Sequence, residues 1–334
     1  MIRSIKCTFL SLLALAAAQS FAMPQLDKLP KYTGPKKRIA VTEIEVKVGA
    51  SDGGSSAGSG TGSLMPPTDF GQGLTEMLMT ALNKSNRFVL LERTDKGLQD
   101  MMKEQTQPGV TDATRIQPNN FMGAEVLIRG AVTEFSSEEK KTDAGGLLSG
   151  IGVSQTNNSS TVGLDLRIYD ISTGEILDSE KAEGHVSSRG VDLSFSNNAY
   201  NFGSNSFQSS SLGKATRQAI DKAVLIICNK LDKRPWQARI AEVVDDEADK
   251  KQLYLNVGSQ AGIKVGDEFE VFHPGKTIMD PDHPGRVLAT TKGRRIGRCK
   301  VSSVEPSVSI AAPIEGEGFA PKDVIRLPEP VQKQ

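Results

Sequence analysis

The sequence predicts an α+β protein: a layered α/β domain broken by two long excursions, followed by a small all-β barrel domain. Three observations carry this expectation. Between residues 37 and 236 the apolar period switches repeatedly between 2 and 3.6, the mark of alternating strands and helices. Two stretches inside that region, about 133–168 and 178–211, interrupt it with Gly, Ser, Thr and Asn. From residue 237 onward helical periodicity is missing, and short apolar alternations recur between glycine turns.

The 334 residues are enough for about two domains at roughly 150 residues each. Residues 1–22 read as a signal peptide, because Arg3 and Lys6 precede an apolar run from Phe9 to Ala18 that ends in Ser20-Phe21-Ala22. Cleavage is expected after Ala22. That run is about half the ~20 residues a spanning helix needs, and no later stretch approaches that length. Cys7 precedes the run, so a lipidated mature start is not predicted. Lys plus Arg and Asp plus Glu both number 40, which leaves none of the cationic excess that nucleic-acid binding requires.

Residues 23–36 form a proline-punctuated leader. Ile39 and Val41, then Ile44, Val46 and Val48, suit a strand that slips one position midway. Residues 49–62 are almost entirely Gly, Ser, Ala, Thr and Asp and are expected to be a long loop. Thr68 or Asp69 starts a helix with Leu74, Met77, Leu78, Ala81 and Leu82 on one face. Residues 88–91 are a strand, Thr94 or Asp95 starts a shorter helix with Leu98, Met101 and Met102, and residues 124–132 are a further strand. Val162, Leu164, Leu166 and Ile168 alternate with polar residues ahead of a tight turn at 170–175, and Ile176-Leu177 opens the next strand. Val191, Leu193 and Phe195 alternate within the second excursion. Leu212, Ala215, Ala219, Ala223, Ile226 and Ile227 lie on one long amphipathic helix, and Arg234-Pro235-Trp236 ends the domain. Short strands with glycine turns then fill 237–330.

Catalytic chemistry has little to work with. His185, His273 and His283 are the only histidines, and there is no HExxH, phosphate loop or CxxC pair. No enzyme activity, cofactor or metal is expected. Gly54-Ser55-Ser56-Ala57-Gly58 matches a nucleophile elbow in letters only, lacking the strand before it and the apolar helix after it. Asp280, Asp282 and His283 read as a turn rather than a cation site, and Lys214 as a helix-start lysine. Cys228 and Cys299 are compatible with a disulfide in an oxidising compartment, but two separate buried thiols is the preferred reading.

Several segments, taken in order, resemble the CsgG family, the curli production assembly/transport component. They are residues 30–48, Leu78-Met79-Thr80-Ala81-Leu82, residues 87–93, Leu98-Gln99, residues 124–130, the glycines of 145–152, Leu166-Arg167 and above all Ser172-Thr173-Gly174-Glu175-Ile176-Leu177. The likeness spans about residues 30–236. Residues 237–327 are similar to the C-terminal domain of the flagellar FlgT protein through Asn256-Val257-Gly258, Val265-Gly266-Asp267 and Asp280-Pro281.

The resemblance implies a layered α/β periplasmic domain with two long β-hairpin excursions. It further implies a homo-oligomeric ring in the outer membrane, whose shared barrel exports unfolded polypeptide. Under that implication Val162, Leu164, Leu166, Ile168, Val191, Leu193 and Phe195 are membrane-strand residues, and Gly49, Ser55, Gly58 and Gly62 belong to the constriction loop. The family's aromatic and amide ring has no counterpart in 49–62, and Glu138, Glu139, Lys140 and Lys141 belong beyond any apolar band. The alternative is a soluble periplasmic envelope or flagellar-type scaffold with the same fold and an envelope protein partner.

Overall fold

The computed structural model describes residues 29–48, 69–105, 122–144, 153–189, 207, 210–245, 251–282, 287–291 and 293–328. Residues 1–22, expected to be a signal peptide, Gly49, Ser55, Gly58 and Gly62, assigned by resemblance to a constriction loop, and Val191, Leu193 and Phe195 lie outside these residues. The fold is α+β, with two separate apolar cores.

The first core is built on a six-stranded mixed sheet. β1 (Lys37–Val41) lies parallel to β3 (Phe88–Glu92) on one side and β4 (Val126–Ala144) on the other. β5 (Val153–Asp170) and β6 (Ile176–Arg189) follow antiparallel, giving the order β3-β1-β4-β5-β6. The strand expected to slip one position midway does so through a break: β1 places Val41 opposite Ile128 of β4, and β2 (Glu45–Val46) resumes on the same strand with Glu45 opposite Ala131, one residue out of that register. Between the two pieces Ile44 is buried, and its N–H donates to Thr75 Oγ1 at 2.9 Å.

Of three helices among the described residues, the first and the last pack on this sheet. α1 (Phe70–Lys84) buries Leu74, Leu78, Ala81 and Leu82, as its period predicts, although Asp69 at its start makes no side-chain cap. α2 (Asp95–Gln105) is capped by Thr94, whose hydroxyl accepts the Gly97 N–H at 3.2 Å. α3 (Ser211–Asp232) starts at Ser210, which accepts the Gly213 N–H at 3.0 Å, so Lys214 does sit in a first helical turn. α3 lays Ala215, Ala219 and Ala223 over β5 and β6. This alanine row and Gly184 permit a close approach: a Cβ added at Gly184 would come 1.8 Å from the Ala215 carbonyl oxygen.

The second core is a closed six-stranded barrel in the order β12-β13-β8-β7-β14-β9. Its strands are β7 (Gln237–Asp245), β8 (Lys251–Leu255), β9 (Glu268–His273), β12 (Arg294–Val304), β13 (Ser309–Gly316) and β14 (Val324–Arg326). β10 (Thr277–Met279) and β11 (Val287–Thr290) form a separate hairpin. Trp236, which ends the first unit in sequence, is 5% exposed in the barrel core, with its ring 5.4 Å from that of Phe269. Gly262 stands at φ 84°, closing the short 3-10 turn Ser259–Ala261 in a conformation that favours glycine.

Candidate functional site

The most distinctive feature is a ribbon leaving the first core. β4 and β5 stay in antiparallel register from Val126↔Asp170 to Ala144↔Val153, far beyond the last core layer. A register shift between Val132 and Glu134 is a bulge that flips the parity of β4. Ile128 and Val132 face the core before it, and Phe135 faces it afterwards, edge-on to Phe70 with ring centroids 5.2 Å apart.

At the root of the ribbon the core ends in hydroxyls. Ser160 is fully buried, 3.0 Å from Ser137 Oγ and 2.9 Å from Ser211 Oγ. Three hydroxyls satisfying one another close the apolar layer without an unpaired polar atom. Phe207, where the second excursion returns, is buried in the same core, and its carbonyl accepts the Ser210 N–H.

Val162, Leu164, Leu166 and Ile168 are between 0 and 1% exposed, inside the core beneath α3. Their alternation is that of a strand covered by a helix on one side and wet on the other, so none of the four faces outward. The opposite face of the same strands is charged. Lys181 bridges Glu134, and also Glu183 at 3.3 Å, while Arg129 reaches Glu45 at 3.2 Å. The Glu134 carboxylate draws the Lys181 ammonium above its ordinary pKa, and Lys47, then Arg129, hold Glu45 below its own.

The outer edge of β6 carries contacts that pattern reading missed. Gln218 Oε1 accepts the His185 backbone N–H at 2.7 Å, and Lys222 Nζ donates to the Glu183 carbonyl at 2.5 Å. Lys230 pairs with Asp178 at 2.9 Å and Glu180 at 2.8 Å, which raise its pKa. The available signal was Gln218 and Lys222 four residues apart, with Lys230 eight further on past Ile226, on a helix otherwise read for its apolar face.

The two cores meet at a seam. Lys36 N–H donates to the Ala261 carbonyl at 2.7 Å, and a small cleft opens beside the Arg38–Glu125 ion pair, Val89, Trp236 and Asn256. Asp282 N–H bonds Asp280 Oδ1 at 2.9 Å, the local turn expected there, while His283 lies outside the described residues. Cys228 and Cys299 are free and buried, one in each core. Among the described residues no cluster of His, Cys, Asp and Glu is arranged to hold a metal, and no helix is long and apolar enough to cross a membrane.

The family profile "Curli production assembly/transport component CsgG" matches residues 19–257. Curated proteins of that name from Escherichia coli (strain K12) and Salmonella typhimurium are each 32% identical over 115 residues, which are 32% of this chain and 41% of theirs. The chain therefore spans less than half the length of these relatives. Among solved structures, the hypothetical protein CT253 from Chlamydia trachomatis is 16% identical, covering 60% of this chain and 99% of its own, with a TM-score of 0.35.

Proposed function

Since the chain belongs to the CsgG family of curli production assembly/transport components, we propose that it acts without covalent chemistry as a homo-oligomeric secretion component of the cell envelope. In this reading each copy contributes the β4–β5 ribbon, together with the second excursion, to a shared outer-membrane barrel through which polypeptide leaves the periplasm. The ribbon is the observation that supports it. Seven pairs, from Glu138↔Ser159 to Ala144↔Val153, extend past the hydroxyl layer. At roughly 3.4 Å per residue they reach about 24 Å, close to the ~25 Å apolar band of an outer-membrane barrel.

The second reading, a soluble periplasmic scaffold with the FlgT-like barrel docking an envelope partner, draws on a different observation. The apolar alternation of β5 lies within the core, and the residue types that follow on the ribbon, Glu138-Glu139-Lys140-Lys141, do not make a lipid face. Carbonate extraction of envelopes followed by sizing of the detergent-solubilised particle separates the two. A membrane-retained particle of many subunits supports the conduit, and release as a soluble species overturns it.

A further inference from the structure

The polar row on α3 lies along an edge that would otherwise be exposed. Among the described residues β6 is the last strand of its sheet, and an uncovered edge strand is a template for pairing with another chain. In an antiparallel edge strand every second residue turns both its N–H and its C=O outward. Glu183 and His185 are two such residues. The Glu183 carbonyl is taken by Lys222 and the His185 N–H by Gln218.

The spacings are commensurate. Four residues of helix rise about 6 Å, and two residues of strand advance about 6.8 Å. Gln218 and Lys222 can therefore meet successive outward groups of β6 while α3 and β6 run side by side. Further along the same row Lys230 sits over Asp178 and Glu180. Gly184 and the alanine row bring the helix close enough for these short reaches.

We propose that Gln218 and Lys222 form a guard on the β6 edge at Glu183 and His185, with the Lys230 ion pairs to the Asp178 and Glu180 side chains holding α3 alongside. The guard prevents a strand of a second copy from pairing with β6 across Glu183 to His185. Strand pairing between copies is thereby kept off this part of the edge. This last consequence rests on the side-by-side assembly proposed above, whereas the guard itself does not.

The test compares the full-length parent, Gln218→Ala/Lys222→Ala and Lys222→Arg, by light scattering over a concentration series and by amide exchange at His185. Both alanines are good helix formers at positions outside the core, and circular dichroism checks that the fold is kept. The double variant is expected to associate beyond the parent's own state, with an added intermolecular β-sheet infrared signal. Its His185 amide should exchange roughly tenfold faster, the loss of one ordinary hydrogen bond. Lys222→Arg keeps a donor and should match the parent. A folded double variant that associates no more than the parent, or Lys222→Arg associating as strongly as the double variant, overturns the guard. A parent that is monomeric at every concentration sinks the side-by-side assembly instead, and the guard is still judged by what the double variant gains.

Discussion

The Lys37 ammonium, on the first strand, donates to the Leu231 carbonyl at 2.5 Å, near the C-terminus of the last helix of the first core. It also reaches the Arg234 carbonyl at 2.8 Å, where the chain turns toward the barrel. Helix C-terminal carbonyls lack intrahelical donors, and here a buried cation supplies one. Lys37→Met keeps the stem and removes the donor. It should lower unfolding free energy by about 1–3 kcal/mol in urea titration.

Lys37 also sets a pH dependence. Burial lowers its pKa, against the upward pull of Asp232 and Glu125 and with a smaller lowering by Arg234. The unfolded chain therefore holds the proton more tightly than the folded one. Between the lowered folded value and the ordinary 10.5, stability contributed at this site rises with pH. The parent's advantage over Lys37→Met should widen with pH in that alkaline window and nowhere else, measured as denaturation midpoints at successive pH values. A difference that stays flat there contradicts the assignment.

Gly184 is the contact that lets α3 lie on β6. Gly184→Ala drives a methyl into the Ala215 carbonyl, and backbone on both sides must move to relieve it. Overpacking of this kind costs about 1–3 kcal/mol or more. The expected result is a clear drop in Tm, with faster amide exchange along β6 than along β1.

Leu164 distinguishes a core strand from a lipid-facing one. It is fully buried, whereas its neighbour Arg167 lies on the wet side. Leu164→Asp should leave no folded protein by near-ultraviolet circular dichroism, because an unpaired carboxylate in an apolar core has no compensating partner. Arg167→Asp should shift stability by only about 0.5 kcal/mol. A folded Leu164→Asp that merely fails to reach the membrane would return this residue to a lipid face.

Much of this fold is legible because each apolar period matches a real element. The Leu74 to Leu82 face, the Leu212 to Ile227 face, and the Asp170 to Glu175 turn with its Gly174 at φ 73° follow from local spacing. What pattern reading misses is relational. Val162 to Ile168 alternate identically whether a helix or lipid covers them, and only the position of α3 decides. Ser160 continues that same even-numbered row, and its hydroxyl is the one sign within the row of where the apolar layer stops. The bulge after Val132 and the guard on β6 depend on which strands are neighbours, which no single-strand period encodes.

The thiols give a simple check on the two-core arrangement. Burial pushes the Cys228 thiol up to about 11 and Cys299 to about 12. At neutral pH both are protonated and shielded, so neither is a useful nucleophile. Iodoacetamide should leave Cys228 and Cys299 unmodified in the native protein and label both in guanidinium. Rapid native labelling of Cys299 alone would mean that the barrel opens independently of the sheet domain.

On the outer wall of the barrel, Glu315 receives both nitrogens of the Arg295 fork at 3.1 and 3.2 Å and Arg298 Nε at 2.8 Å. Arg295 also holds Glu270 at 3.0 Å, so β9, β12 and β13 are tied together across their strands. Hydrogen bonds from Arg295, then Arg298, pull the Glu315 carboxyl from 4.5 down to about 2. A depressed acid stabilises the fold above its unfolded value and loses that contribution as pH falls from 4.5 toward 2. Glu315 is solvent-exposed, so high salt should blunt the effect. Carboxyl NMR should find Glu315 titrating well below the ordinary 4.5, and Glu315→Gln should flatten that part of the acid limb of the stability curve. An ordinary titration near 4.5 would mean that the arginine fork does not hold this carboxylate in solution.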